Sequence, residues 1–276
     1  MSLCSEPRID CHCHVLDPAR FPYRADTPYR PAGQEIGTAA QMKHVFAAYG
    51  IRGALVVGPN SGYEEDNRCL LDAIAGAAGR WKGIAVVPHD ISTSALERLK
   101  AQGIVGVAFN ATFHGADHYR NTSELLRRLA ALDMCVSLQV ERDQLVSLAP
   151  LFERSGVCLL IDHCGRPSPA AGVDQRGFRE LLRLAGTGRV YVKLSGYLKW
   201  AGEPYPYDVA RPYVDALLDA FTPRRCLWAS DWPFLRAETR IDIGPLLALF
   251  EHFVPRAADR REIQWETPCR LLGFAP

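Results

Sequence analysis

Eight short apolar runs recur along this chain, and a segment with helical spacing or a loop separates each run from the next. The runs occupy residues 9–14, 53–58, 82–87, 105–110, 135–140, 157–163, 190–196 and 226–232. Most of them are apolar at nearly every position, which is typical of parallel strands buried on both faces. Between them, leucines recur at helical steps, for example in 94–102, 122–132, 144–154, 178–185 and 212–221. The alternation predicts an α/β fold built on a parallel sheet.

The number of repeats and the lack of a linker indicate how the sheet is arranged. No proline-rich or glycine-rich linker divides the 276 residues, so we expect one domain over residues 1–276 that forms a TIM-like (β/α)8 barrel. A doubly wound open sheet is the alternative. That fold would favour a glycine fingerprint after its first strand, whereas the first run here ends in the sequence CHCH.

The net charge and the absence of recognisable sorting signals indicate which partners and which compartment to expect. The chain carries 32 lysines and arginines and 31 acidic residues, a formal net charge of +1, which argues against nucleic acid and membrane surfaces. The start of the sequence lacks the features of a secretory signal, and no segment has about 18 consecutive apolar residues. We therefore expect a cytoplasmic protein whose nine cysteines are reduced and whose partner is a small molecule. The sequence leaves its oligomeric state open.

Two histidines end the first run. His12 and His14 are two residues apart, so both side chains point to the same side of a strand. In a barrel we expect that side to be the lumen, and we expect Cys11 and Cys13 to face the surrounding helices. This divergence disfavours a metal site that combines the thiols with the imidazoles.

The later runs carry further polar residues. His163 closes the sixth run, where it shares a face with Leu159 and Ile161, and Asp231 lies near the end of the eighth run. The carboxyl ends of barrel strands meet at one mouth, where barrel enzymes carry out their chemistry. We expect these two residues and the histidine pair of the first run to converge there. Lys193 in the seventh run could face either the lumen or the helices.

Four motifs, in order along the chain, carry a resemblance to a known family. The sequences IDCHCH, DHCGRP, LWASDWP and ETPCRLLGF resemble those of the amidohydrolase-related (Amidohydro_2) family. They are most similar to its branch of 2-pyrone-4,6-dicarboxylate lactonases and sugar lactonases. The resemblance extends over residues 9–274 and includes GVAFN in the fourth run and VKLSG in the seventh. It implies a distorted (β/α)8 barrel that hydrolyses a lactone or a similarly activated ester.

The resemblance also implies roles for the four polar residues. Carried over by position, Asp231 is the general base, and His12, His14 and His163 surround the scissile carbonyl. The chemistry of lactone opening agrees with these roles, because it requires a deprotonated water and donor groups where the carbonyl oxygen becomes an oxyanion.

Metal dependence is less well defined by the motifs. Metal-dependent amidohydrolases usually add a carboxylate or carbamylated lysine on strand four and a histidine on strand five. Here the corresponding positions hold Ala108 or Asn110 and Gln139, so we do not expect a binuclear site. A single zinc held by the four polar residues stays possible on ligand type. The likeness to lactonases that work without a metal favours a reaction that needs no cofactor.

The expected substrate contacts come from the same comparison. Arg166 and Tyr29 match positions that orient an acidic substrate, and Asn110 and Gln139 complete the predicted binding residues. In the pyrone-dicarboxylate relatives the fourth run reads GVRFN, whereas this chain has Ala108 in place of the arginine. We therefore expect a lactone with a single acidic group, or a neutral polyol lactone.

Two other functions are consistent with the sequence. A zinc-dependent decarboxylase or a hydratase has the same superfamily resemblance, and a tightly bound metal would distinguish it. A catalytically silent barrel that binds a small acid or a partner protein is the alternative outside enzymes. The intact histidines and Asp231 argue against that alternative. The sequence does not specify the identity or ring size of the lactone.

Overall fold

The computed structural model describes residues 6–275, which fold around one sheet of eight parallel strands. The strands are β1 Arg8–Cys13, β2 Ile51–Val57, β3 Trp81–Ala85, β4 Ile104–Asn110, β5 Cys135–Gln139, β6 Cys158–Ile161, β7 Val190–Leu194 and β8 Cys226–Trp228. Each strand pairs with the next in sequence. Asp231 lies after the end of β8, and its N–H donates to the carbonyl of His12 in β1 at 2.9 Å, which helps to bring the two edges of the sheet together. The predicted (β/α)8 barrel is confirmed.

Helices cover the outside of this barrel and follow its strands in sequence. They are α1 Ala39–Ala48, α2 Arg68–Ala75, α3 Thr93–Ala101, α4 Ala111–His114, α5 Ser123–Ala131, α6 Gln144–Ser155, α7 Arg176–Leu184, α8 Tyr197–Trp200, α9 Arg211–Phe221, α10 Ile243–Phe253, α11 Ala257–Arg261 and α12 Thr267–Leu272. The amphipathic spacing explains their orientation, since α7 buries Phe178, Leu181 and Leu184 at three-residue steps. Gly156, with φ of +70°, ends α6 in the left-handed conformation that glycine adopts without strain. No helix within residues 6–275 combines the length and apolar character needed to cross a bilayer.

Apolar residues form two layers, one on each side of the sheet. Residues such as Leu159 and Ile161 pack into the large cluster that includes the helix leucines. The alternating residues, such as Leu160 and Leu227, pack into a smaller cluster inside the barrel. Phe274 closes the inner cluster near the amino ends of the strands. Lys82 Nζ lies over the Phe274 ring, 5.6 Å from the ring centre. The inside of the barrel is therefore filled at one end, and the carboxyl end is left for polar residues.

An irregularity in β1 corrects one expectation from the sequence. Cys13 packs in the outer cluster as expected, but Cys11 packs in the inner cluster with Leu55 and Leu227. The pairing of β1 with β2 shifts register between Asp10 and Cys13, and such a bulge breaks the alternation of side chains. Cys11 and His12 can therefore both approach the lumen. The cysteines of the described residues are unpaired, and Cys4 lies outside the described residues.

Candidate active site

A cavity of about 560 Å³ opens at the carboxyl ends of the strands. Its wall includes His12 in β1 and His14 immediately after that strand. It also includes Asn110 from β4, Gln139 from β5 and Asp231 from the segment after β8. Residues from the loops after β2, β6, β7 and β8 also contribute to the wall. This is the end at which the sequence places the predicted site.

Asp231 lies at the centre of the polar end of this cavity. Its backbone has a φ of +64°, a conformation that aspartate and asparagine adopt more readily than most residues. Its carbonyl accepts a hydrogen bond from the Phe234 N–H at 2.8 Å, in addition to the bond that its own N–H makes to His12. The side chain is 4% exposed, so the turn holds the carboxylate at a fixed position inside the protein.

Three imidazoles surround one oxygen of this carboxylate. The Nε2 atoms of His14, His12 and His163 lie 3.4, 3.8 and 3.9 Å from Asp231 Oδ1. Burial alone would raise the pKa of Asp231, but His163, His14 and Lys199 together hold it well below its ordinary value. Asp231 is therefore ionised at neutral pH.

The other nitrogen of each ring makes a contact away from the cavity. His14 Nδ1 lies 2.8 Å from the Val57 carbonyl, which can only accept, so Nδ1 carries a proton. His163 Nδ1 lies 3.1 Å from Ser195 Oγ. Burial lowers the pKa of His163 to about 3 and also lowers that of His12, which keeps both rings neutral at pH 7.

His163 lies at the cavity as expected, but it does not share a strand face with Leu159 and Ile161, which corrects the sequence prediction. Leu159 and Ile161 point towards the helices, whereas Leu160 and Asp162 alternate with them and point inwards. His163 reaches the cavity because the chain turns after β6, where its φ is +55°. The turn fits against Gly196, since a Cβ there would lie 2.4 Å from the His163 ring. A side chain at position 196 would displace the imidazole.

A buried network behind His12 was not predicted from the sequence. The sequence allowed Lys193 to face either the lumen or the helices. In the structure it faces the lumen, and its side chain is fully buried. Its Nζ lies 2.8 Å from Ser137 Oγ, 2.8 Å from Asp162 Oδ1 and 3.1 Å from His12 Nδ1. Burial would raise the pKa of Asp162, but Lys193 and His12 hold it well below its usual range. The network therefore contains a buried ion pair next to a histidine of the site.

Three cationic side chains line the cavity, and only Arg166 among them was predicted. Arg166 Nη2 lies 3.5 Å from Glu141, and its buried Nε has no hydrogen-bond partner within residues 6–275. Lys199 follows β7, with its Nζ 4.0 Å from Asp231 Oδ2, and Arg236 belongs to the loop after β8. Lys199 lies in the four-residue helix α8 and Arg236 in an irregular loop, and neither segment has a periodic pattern that predicts where the side chain points.

The remaining predicted contacts differ in their distance from the cavity. Asn110 and Gln139 line it, and the Gln139 amide nitrogen donates to Asn110 Oδ1 at 3.3 Å. Tyr29 lies behind the lining, where its hydroxyl donates to Glu35 at 2.6 Å. The guanidinium carbon of Arg236 lies over the Tyr29 ring, 4.2 Å from the ring centre. Tyr29 therefore supports Arg236, which lines the cavity.

The donor set of the site also fits a single metal ion. His12, His163 and Asp231 each offer one ligand atom, and the three atoms lie within 4.8 Å of one another. Imidazole nitrogen and carboxylate oxygen are ordinary zinc ligands, and two ligand atoms on one tetrahedral zinc ion lie about 3.3 Å apart. The separations around Asp231 are only slightly longer, so small side-chain movements would complete such a site.

Comparison with known proteins extends over nearly the whole chain. A family model described as amidohydrolase matches residues 9–274. A 4-sulfomuconolactone hydrolase of Rhizobium radiobacter is 35% identical over 275 residues, covering 96% of this chain and 89% of that protein. A 2-pyrone-4,6-dicarboxylate hydrolase of Comamonas testosteroni is 28% identical over 276 residues, covering 95% and 89%. The crystal structure of a putative 2-pyrone-4,6-dicarboxylic acid hydrolase from Pseudomonas putida has a TM-score of 0.85 at 27% identity and covers 98% of each chain.

Proposed function

The chain belongs to the amidohydrolase family and is a lactone hydrolase, and we propose that it opens the lactone ring with a water molecule that Asp231 deprotonates. The observation that carries this proposal is the position of the Asp231 carboxylate. It is buried and ionised, and three imidazoles lie around it at the open end of the barrel. A carboxylate in this setting can accept a proton while neighbouring groups stabilise negative charge on the substrate.

The reaction begins with the water molecule beside Asp231. When Nδ1 holds the one ring proton of His14 and donates it to the Val57 carbonyl, Nε2 has a lone pair and can accept a hydrogen bond. A water that donates to both His14 Nε2 and Asp231 Oδ1, which are 3.4 Å apart, is oriented by both. Its oxygen adds to the lactone carbonyl carbon as its proton passes to Asp231.

The tetrahedral intermediate then requires donors for its oxyanion. Neutral His12 and His163 can each donate one N–H towards the cavity, provided that the proton is on Nε2. Collapse of the intermediate breaks the bond between the carbonyl carbon and the ring oxygen. Asp231 returns the proton to that ring oxygen, and the product is a hydroxy acid or its keto tautomer.

The chain supplies the base and the donors for this sequence, and we propose that no metal is required. His12, His163 and Asp231 are the residues that would hold a metal ion. A bound divalent ion would supply Lewis-acid chemistry by polarising the carbonyl.

The cations of the cavity support an acidic substrate. The names of the two relatives specify a sulfo group in one substrate and two carboxylates in the other. Here Arg166, Lys199 and Arg236 line the cavity, whereas the sequence alone placed one arginine there. A carboxylate or sulfonate bound beside them has cationic partners, which a buried anion requires. We therefore propose a lactone with at least one anionic group, and we rank neutral polyol lactones below it.

A panel of lactones read by acid release tests this proposal. It contains 2-pyrone-4,6-dicarboxylate, a sulfonated muconolactone, a monocarboxylated lactone and a neutral sugar lactone. We expect an anionic lactone to exceed the neutral one by about 100-fold or more in kcat/KM, because its anionic group pairs with the cations that line the cavity. The absence of turnover on all members would contradict the lactonase proposal. A neutral lactone as the best substrate would contradict the role of the three cations.

A further inference from the structure

Four buried groups make a closed hydrogen-bonded network beneath the cavity, on the far side of His12 from Asp231. They are Lys193, Asp162, Ser137 and His12, and each has at most 3% of its surface exposed. Asp162 Oδ1 accepts from Ser137 Oγ at 2.8 Å, and Lys193 Nζ is within hydrogen-bond distance of the other three residues. The steps of the proposed reaction do not use Lys193, although burying its charge is costly.

The ion pair that Lys193 Nζ makes with Asp162 Oδ1 at 2.8 Å determines which groups donate. An ammonium group has three N–H donors and no lone pair. Its three neighbours are Ser137 Oγ, Asp162 Oδ1 and His12 Nδ1 at 2.8, 2.8 and 3.1 Å, which is one partner for each donor. His12 Nδ1 must therefore be the acceptor in its contact with Lys193.

This hydrogen bond determines the tautomer of His12. A neutral imidazole carries one proton, so a ring that accepts at Nδ1 carries its proton on Nε2. His12 Nε2 faces the cavity and lies 3.8 Å from Asp231 Oδ1. The ring therefore presents an N–H donor to the site.

The opposite tautomer would arise if Asp162 were the partner of the ring. Asp162 Oδ1 lies 3.3 Å from His12 Nδ1 and could accept a proton from it. That arrangement, a carboxylate behind a histidine, leaves the Nε2 lone pair free and is usual for metal-ligating histidines. Here the same Oδ1 already accepts from Lys193 and Ser137, and the ammonium group is closer to the ring nitrogen.

We propose that Lys193 is a positioning residue that holds His12 in the tautomer with the proton on Nε2. The lysine thereby makes His12 a hydrogen-bond donor to the substrate, and His12 would have to lose its Nε2 proton before it could join the metal site that it forms with His163 and Asp231. The catalytic consequence rests on the proposed lactone hydrolysis, whereas the tautomer itself does not.

Nuclear magnetic resonance of the histidine ring nitrogens reads the tautomer directly. The full chain is labelled with the heavy nitrogen isotope in its histidine rings and is stripped of metal by chelation. A His12→Asn variant assigns the signals of His12. We expect a protonated Nε2 and an unprotonated, hydrogen-bonded Nδ1 in the unmodified protein. A proton on Nδ1, or on both nitrogens, would overturn the proposal.

Two variants and a matched control test whether Lys193 is the cause. Lys193→Met removes the donor with little change in length, and the proton of His12 should then move to Nδ1, facing Asp162. The double variant Lys193→Met/Asp162→Asn avoids an unpaired buried carboxylate and should show the same change. Ser137→Ala removes a neighbour of Lys193 that does not contact His12, and it should keep the original tautomer. An unchanged tautomer in the folded lysine variants would contradict the role of Lys193.

Kinetics add a second measurement that depends on function. Loss of an oxyanion donor should lower kcat of Lys193→Met by roughly 100-fold while KM changes little. A loss confined to KM, with kcat retained, would contradict a role in the transition state. The ring-nitrogen spectra can be recorded whether or not any lactone is hydrolysed, so failure of this inference is distinguishable from failure of the proposed function.

Discussion

Replacement of Asp231 by asparagine isolates the proposed proton acceptor. The φ of +64° at this position is one that asparagine tolerates, and both backbone hydrogen bonds of residue 231 are kept. The amide has nearly the same shape as the carboxylate and costs less to bury. We therefore expect Asp231→Asn to fold normally, with a melting temperature close to that of the unmodified protein.

The magnitude of the effect follows from the loss of a positioned base. General base catalysis contributes typically 100-fold to 10,000-fold, which corresponds to roughly 2.7 to 5.4 kcal/mol in the activation free energy. The cations that bind the substrate remain in place, so KM should change much less than kcat. Initial rates of acid release from the best lactone of the panel measure both constants.

A second buried aspartate provides the control. Asp10 Oδ1 accepts hydrogen bonds from the backbone N–H groups of Ser230 and His12 at 3.0 and 3.1 Å, and Asp10 does not line the cavity. Asp10→Asn makes the same chemical change and retains an oxygen for both bonds, so we expect it to keep most of the activity. Near-normal kcat in a folded Asp231→Asn protein would refute Asp231 as the base.

Four further outcomes are expected. His163→Asn should lower kcat by about 100-fold through loss of an oxyanion donor, whereas a change confined to KM would make His163 a binding residue. Arg166→Met should cost about 2–5 kcal/mol in kcat/KM for an anionic lactone and little for a neutral one, and Arg183→Met, which removes an arginine paired with Glu180 on the exterior, should affect neither. Activity should survive exhaustive chelation, with zinc well below one ion per chain, and a loss that zinc restores would contradict this. Leu160→Ala in the inner cluster should lower the free energy of unfolding by about 2–5 kcal/mol in urea titration, and an unchanged value would contradict its packing role.

The parts of the fold that produce a regular pattern of apolar residues could be predicted from the sequence. Each of the eight apolar runs overlaps a strand of the barrel, because a strand buried on both faces leaves a short run with few polar residues. His12 and Asp231 could be placed at the mouth for the same reason, since each lies near the end of such a run. These positions depend on local pattern and on the common direction of the strands.

The remaining features of the fold and the site depend on irregular backbone geometry, which leaves no repeating pattern in the sequence. The bulge in β1 arises from pairing with β2, and the turn at His163 requires a positive φ, so alternation gave the wrong side for Cys11 and for Leu159. Asp162 has no signal in the sequence pattern, because alternation with its neighbour His163 places it on the opposite face of the strand. Arg236 reaches the cavity from an irregular loop, where the sequence carries no signal of direction.

Product analysis in water enriched in the heavy oxygen isotope tests the central claim most directly. The best acidic lactone is incubated with the metal-stripped enzyme, and the product is examined by mass spectrometry. Attack of water on the carbonyl carbon should place one heavy oxygen atom in the newly formed carboxylate, with the original ring oxygen kept as the hydroxyl or keto oxygen of the product. Release of carbon dioxide from an unopened ring, or incorporation of the label at the carbon that bore the ring oxygen, would contradict water attack on the lactone carbonyl.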